Sequence, residues 1–329
     1  MKVGKVSETV LKRSIFKQIK HRREEVLVRP GVGEDCSVIE LAKDQVFVIS
    51  TDPITGTVND IGRLAVHITA NDIATSGADM IGIMLTILLP TDASESDLKA
   101  MMQEVEETCA QLDIEVVGGH TEVTAAVNQP IISVTGIGKM DKKNVITTAG
   151  LIPSQDIVMT KWAGLEGTAI IAKDHEDELL TRYTKDFIKG AKEFVNHISV
   201  VKDAKIARTM GATSMHDVTE GGVFGALWEM AAASKVGLEI DLKKIPMKQE
   251  TVEICEFYDL NPYLLMSSGS LLIATNQGSD LVEALGREGV ASAIIGKVTS
   301  GNDRIIVNDD ERRYLEPPKC DDLYKVKSK

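Results

Sequence analysis

Residues Ile61 to Pro90 read IGRLAVHITANDIATSGADMIGIMLTILLP, and this stretch decides the fold. Leu64, Ala65, Ile68, Asp72 and Thr75 fall close to one face of a helix. Gly77 stops that helix, and a turn at Ala78 and Asp79 leads into Met80 to Leu89. The second run is almost wholly apolar, which predicts a strand covered on both faces. Asn71 and Asp72 are the anomaly, two polar residues inside an otherwise apolar helix. A buried carboxylate needs a partner, because desolvating a lone charge costs several kcal/mol or more. Asp72 either bonds nearby backbone amides or ligates a metal, and other parts of the chain must separate the two readings.

Bulk composition narrows the classes. The chain has 329 residues, enough for two ordinary domains, with 43% hydrophobic and 26% charged side chains. Aromatics make up only 4%, so the cores must be aliphatic. The balance of 37 basic and 49 acidic residues gives −12, which argues against a general nucleic-acid binder. Anionic small ligands stay open, because a divalent metal inverts the local field. Cys36, Cys109, Cys255 and Cys320 are far apart and form no C-x-x-C, so neither a zinc ribbon nor a redox motif is expected. Free thiols, an N-terminus without an apolar signal core, and no run near the ~20 residues of a membrane span together predict a cytoplasmic protein.

Along the chain, Ser7 is placed to cap a helix running to about His21. Lys17, Lys20, Arg22 and Arg23 form a basic cluster, read as a solvated face with phosphate contact as the alternative. GVGEDCSVIEL, Gly31 to Leu41, sets two glycines and two acids before a strand. QVFVISTDPI follows as a second strand carrying Ser50, Thr51 and Asp52. Antiparallel pairing of the two would bring Asp35 and Asp52 to one sheet edge, where Asp72 could join them. Ser94 to Leu112 reads as an amphipathic helix, and Glu115 to Val117 as a short strand entering a glycine-opened GGHTEVT loop. Pro130 to Gly138 is a further strand, with a weakly patterned link near Thr147 to Pro153. The second half begins with a strand at Asp156 and continues helical from Gly164 to about Met210. In SMHDVTEGGVFGALWEMAAAS a strand leads to Asp217, and Gly221 and Gly222 open a helix whose amides favour an anion. Strands are expected at Val236 to Ile240, Ser267 to Ala274, Ala293 to Val298 and Arg304 to Val307, with a helix at Leu281 to Glu288 and a polar tail from Glu316.

The acids at glycines and element ends are Asp35, Asp52, Asp72 and Asp217, with Glu34 and Glu220 beside two of them. Oxygen ligands on rigid ends suit Mg2+, which binds through a few carboxylates plus substrate phosphates. No G-x-x-x-x-G-K-[ST] is present, and GVGEDC precedes a strand, so P-loop and dinucleotide-fold readings fall. His120 and His216 lie in two of these loops, where capping or phosphate contact fits better than zinc among oxygen donors.

GVGEDC, ISTD, ANDIATSGA, GGHT and HDVTEGG, in that order, resemble the superfamily of aminoimidazole ribonucleotide (AIR) synthase, thiamine-monophosphate kinase, selenophosphate synthetase and HypE. The resemblance covers nearly the whole chain and looks nearest to the HypE branch. It implies an α/β (α+β) PurM-like fold with domains over 1–150 and 151–329. The first would bind ATP and Mg2+ and contribute to a dimeric β-barrel, and the second would be an α/β sandwich. It places Asp35, Ser50, Thr51, Asp52, Asp72 and Asp217 on metal-binding positions. It also places Gly118 and Gly119 at the nucleotide, where Thr121, Thr219 and the amides of Gly221 and Gly222 are expected to join them, and Asp217 at metal or phosphate. His120, where the family carries an acid, is expected to contact the γ-phosphate or serve with Asp217 as a catalytic group. HypE-like chains usually read G-D-T-K-V at Gly119 to Val123, S-E-G at Ser267 to Gly269, and end in P-R-I-C. Here His120, Glu122 and Ser268 differ, and Asp321 to Lys329 follow Cys320. These departures count against carbamoyl dehydration and leave ATP-dependent activation of an amide or acid oxygen as the expected reaction, carried out by a homodimer. The alternative is a non-catalytic nucleotide-binding partner or scaffold that docks on a maturation protein.

Overall fold

The computed structural model describes residues 4–5, 10–28, 38–39, 41–54, 60–317 and 320–327. The chain divides into two compact units, Met1–Ala74 with Ala78–Val145, and Thr75–Gly77 with Ile146–Lys329.

In the first unit the strands are β1 (Gly4–Lys5), β2 (Val26–Val28), β3 (Val38–Ile39), β4 (Gln45–Ile54), β5 (Asp79–Leu89), β6 (Glu115–Val123) and β7 (Ile131–Asp141). Five of them form a mixed sheet in the order β1-β6-β5-β7-β4, with β5 and β6 parallel. The stretch that opened the analysis folds as expected into helix α1 (Ile61–Thr75), a turn at Gly77 with φ of 80°, and strand β5. Helix α2 (Glu95–Leu112) starts at Ser94, whose side chain accepts from the Asp97 amide while Asp97 accepts from the Ser94 amide.

Helix α1 lies hard against one face of the sheet. A methyl group on Gly138 of β7 would stand 2.5 Å from Ile73 Cγ2. The opposite face stays open, with Ile49 64% exposed and Phe47 and Met84 also outward. That openness corrects the expectation for β5. Ile81 to Ile83 are buried throughout, but Met84 and Thr86 are exposed and burial alternates from there on. An apolar run does not reveal whether a second layer will arrive to cover it.

Two further expectations change. β3 pairs with β2 in a separate two-stranded sheet, while β4 pairs along its length with β7, so the β3–β4 hairpin is not formed among the described residues. The N-terminal basic cluster is held by the unit's own acids. Arg22 pairs with Glu115 at 3.3 Å and Arg23 with Glu25 at 2.9 Å, while Glu106 accepts the backbone amides of Lys20 and His21 at 2.7 Å. The expected cap at Ser7 lies outside the described residues.

The second unit is built on a seven-stranded sheet ordered β14-β13-β10-β12-β8-β11-β9. Its strands are β8 (Asp156–Thr160), β9 (Ser214–Asp217), β10 (Gly237–Asp241), β11 (Leu271–Thr275), β12 (Ser292–Thr299), β13 (Arg304–Asn308) and β14 (Glu311–Tyr314). β10 and β13 run parallel and the other neighbours antiparallel. The principal helices are α3 (Leu165–Asp174), α4 (Lys185–Lys192), α5 (Val201–Thr209), α6 (Gly222–Ser234), α7 (Gln249–Tyr258), α8 (Gly278–Arg287) and α9 (Leu323–Lys327). Strand β14 and helices α7 and α9 were not expected.

Helix α9 overturns the polar tail. Leu323 and Val326 pack into a cluster with Ile170, Ile254 and Leu265, and Asp321 and Asp322 are buried beside them. No helix among the described residues is long and apolar enough to cross a membrane.

Candidate functional site

Strand alternation places Ser50 and Asp52 on the face covered by α1, where Asp72 projects from the helix. The Ser50 hydroxyl lies 2.5 Å from Asp72 Oδ2 and 3.4 Å from Asp52 Oδ2. A hydroxyl has one proton, so it cannot satisfy both carboxylates at once. Two half-buried carboxylates held this way repel each other, and a cation or a shared proton relieves that repulsion. Thr51 points to the other face, where its hydroxyl meets that of Thr135 at 2.9 Å. Among the described residues no third His, Cys, Asp or Glu joins this pair as a metal-ligand set. Asp35 lies outside the described residues.

Gly118 and Gly119 do not open a loop. β6 runs unbroken through them and pairs with β5, shifting register between Ile83 and Met84. Gly119 has φ of 154°, and a methyl group there would sit 2.2 Å from the Leu85 carbonyl oxygen. Gly119 therefore serves a close strand-to-strand approach at a bulge, where any side chain would collide, whereas Gly118 has room for a methyl group against Met84.

That register decides where His120 points. It stands opposite Thr86 on the open face, with its Nε2 3.3 Å from Glu122 of the same strand. Asp52 and Asp72 occupy the covered face, and β5 and β7 separate β6 from β4, roughly 14 Å at ordinary strand spacing. Within one chain His120 is thus not brought to the acid pair. Thr121 is buried.

In the second unit Asp217 ends β9 and is buried beside Leu271 of β11. Gly221 and Gly222 adopt φ of 84° and 62° and open α6 as expected. Their amides are already engaged. Gly221 N–H donates to Asp321 Oδ2 at 2.8 Å, and Gly222 N–H to the Thr219 carbonyl at 3.1 Å. The Asp321 side-chain carboxylate stands where a ligand anion was expected. It also accepts from the Leu323 amide at 2.8 Å, which ties the tail to the helix start.

Glu166 is the residue that sequence reading overlooks. It sits in the first turn of α3, buried, and bonds to Ser268. Burial first, then the nearby charges of Asp321 and Asp217, push its carboxyl up to about 7 against the opposing bonds from Ser268. Its Oε2 has no hydrogen-bond partner among the described residues. An acid between Leu165 and Gly167 carries the same signal that marked Asp72, polarity inside an apolar helix. Lys161 fixes the neighbouring turn, donating to Asp203 Oδ2 at 2.6 Å, to the Ser199 carbonyl at 2.8 Å and to the Gly269 carbonyl at 2.7 Å. His216 pairs with Glu229 at 2.8 Å.

Residues 33–140 match the N-terminal domain of the AIR synthase related proteins, and residues 153–308 match their C-terminal domain. A Methanocaldococcus jannaschii protein named for hydrogenase expression and formation is 29% identical over 336 residues, covering 98% of this chain and 97% of that one. The carbamoyl dehydratase HypE of Rhizobium leguminosarum bv. viciae is 27% identical over 266 residues, 79% of this chain and 73% of that one. The crystal structure of the hydrogenase maturation protein HypE in complex with ATP aligns with a TM-score of 0.81 at 19% identity, over 97% of both chains. At that identity the structural likeness is one of fold. With both family domains matched in order along the sequence, the chain belongs to the AIR synthase related protein family.

Proposed function

We propose that this protein is a Mg2+-dependent ATP-binding enzyme of the HypE-like group that activates an amide or acid oxygen by phosphoryl transfer. The observation that carries the reading is the Ser50 hydroxyl set between Asp52 and Asp72. It supports nucleotide chemistry because a HypE of the same fold was solved with ATP. Two carboxylates and a hydroxyl are hard oxygen donors, the number and kind that Mg2+ uses when phosphates complete its shell. Asp52 and Asp72 would hold the ion, with Ser50 and Asp35 as further donors, while Thr51 faces away from them and bonds Thr135. Bound Mg2+ supplies neutralisation of phosphate charge. The residues' own part is positioning, which is most of what phosphoryl transfer asks of a protein.

The open face of the first unit's sheet, with Phe47, Ile49 and Met84 outward, fits pairing with a second copy into a barrel. His120 and Glu122 lie on that face. A cytoplasmic location goes with the exposed thiol of Cys320.

Calorimetric titration of ATP with and without Mg2+ tests the site. Binding only with the metal, lost in Asp72→Asn, is the expected result. Equal affinity in that variant, or no binding in either condition, overturns it.

A second reading is favoured by one observation, the capture of the Gly221 amide by Asp321 next to Ser268. It makes the protein a nucleotide-binding partner of a maturation protein, without turnover. ATP hydrolysis stimulated by a carbamoyl or carboxylate compound would exclude it.

A further inference from the structure

β14 carries two adjacent arginines in different circumstances. Arg312 pairs with Glu239 of β10 at 2.6 Å. Arg313 has no ion-pair partner among the described residues, and its guanidinium stands 5.9 Å from the centre of the Phe224 ring. Phe224 is itself stacked on Tyr263, with ring centres 5.1 Å apart and planes 13° from parallel. Burial raises the Tyr263 phenol above its ordinary value, and Arg313 is close enough to pull it partly back.

Phe224 and Arg313 line a cavity of about 450 Å³ within the second unit. Phe224 forms an aromatic wall, Leu264 and Ile306 give aliphatic walls, and Arg313 and Glu316 supply charge. Its size is that of a small-molecule pocket, and its lining is divided evenly between apolar and polar surface, the latter from Asn261, Arg313 and Glu316. None of these residues belongs to the proposed Mg2+ and ATP site.

We propose that this cavity binds a planar aromatic anion, its ring packed against the exposed part of Phe224 and the aliphatic walls and its anionic group on Arg313. Phe224 is largely buried and held by its stack on Tyr263, so only a small part of its ring reaches the cavity, as a preorganised contact for an aromatic edge. Arg313 offers a planar fork of donors that suits carboxylate and phosphate alike. The anion's source is either a nucleotide or an aromatic carboxylic acid, and the two share this chemistry.

The test uses the full chain with 13C-labelled isoleucine and leucine methyl groups, titrated separately with AMP and with indole-3-propionate. Shifts concentrated at Ile306 and Leu264 are expected with at least one probe. Response to AMP alone assigns a nucleotide, and response to indole-3-propionate assigns an aromatic acid. Arg313 is exposed on a terminal strand, so Arg313→Glu should fold. It should weaken the probe by about tenfold or more, by charge reversal at a charge-assisted contact. Asp72→Asn should leave these methyl shifts unchanged, which separates this site from the proposed nucleotide site. No shift at Ile306 or Leu264 with either probe, or equal affinity in Arg313→Glu, overturns the proposal.

Discussion

Ser50 has one proton and two carboxylates within its reach, and the consequences separate two substitutions. Asp72→Asn removes a carboxylate from the proposed metal site and should abolish metal-dependent ATP binding. Ser50→Ala keeps both carboxylates but removes the group that orients them, so Mg2+-ATP affinity should fall by about ten- to a hundredfold in calorimetry. Glu166 permits a prediction about pH. Its carboxyl is pushed from the ordinary 4.5 up to about 7, chiefly by burial. Between those values the folded chain keeps a proton that the unfolded chain has lost, so stability falls as pH rises through the window. Above it a constant penalty of ~3 kcal/mol remains. Glu166→Gln should flatten that dependence, and above pH 7 its thermal midpoint should exceed that of the parent. Thermal unfolding of both chains from pH 4 to 8 measures this, and parallel curves would exclude the role given to Glu166.

At the scale of the element, the glycine pair in β6 and the start of α6 show how one residue type serves different needs. Gly119→Ala would press a methyl group into the Leu85 carbonyl and force a side chain into the left-handed region. The expected loss is about 2–4 kcal/mol of stability, read from the denaturant midpoint. Helix α6 takes its capping anion from the tail. Asp321→Ala should cost about 1–2 kcal/mol and loosen α9, seen as faster amide exchange at Gly221 and Leu323. Unchanged exchange there would mean that the packing of Leu323 and Val326 holds the tail without the cap.

For the molecule as a whole, the uncovered face of the first sheet is the feature with the widest consequence. Ile49 is 64% exposed on a regular strand, with Phe47 two residues before it. This face is where the proposed dimer would form. Ile49→Lys should convert the expected dimer to a monomer in sedimentation velocity while leaving the circular dichroism unchanged. A parent chain that sediments as a monomer would remove the dimer from the proposal.

Much of the architecture was legible in the residues, because helical and strand periodicity and glycine punctuation are local properties. The α1–β5 pair, the strand ending at Asp217 and the helix opening at Gly222 are examples. The acids at Asp52 and Asp72 were legible too, since polarity inside an apolar pattern needs no neighbour to be noticed. What the sequence could not decide were relations between distant segments. Strand alternation and a register shift turn His120 to the face opposite Asp72. Long-range burial draws Asp321 onto the Gly221 amide, raises Glu166, and makes a tail of charged residues part of a core. Sequence determined most of the elements and the acids at Asp52 and Asp72. Tertiary structure decided which of them meet, because pairing register and desolvation depend on partners that lie on other elements, far along the chain.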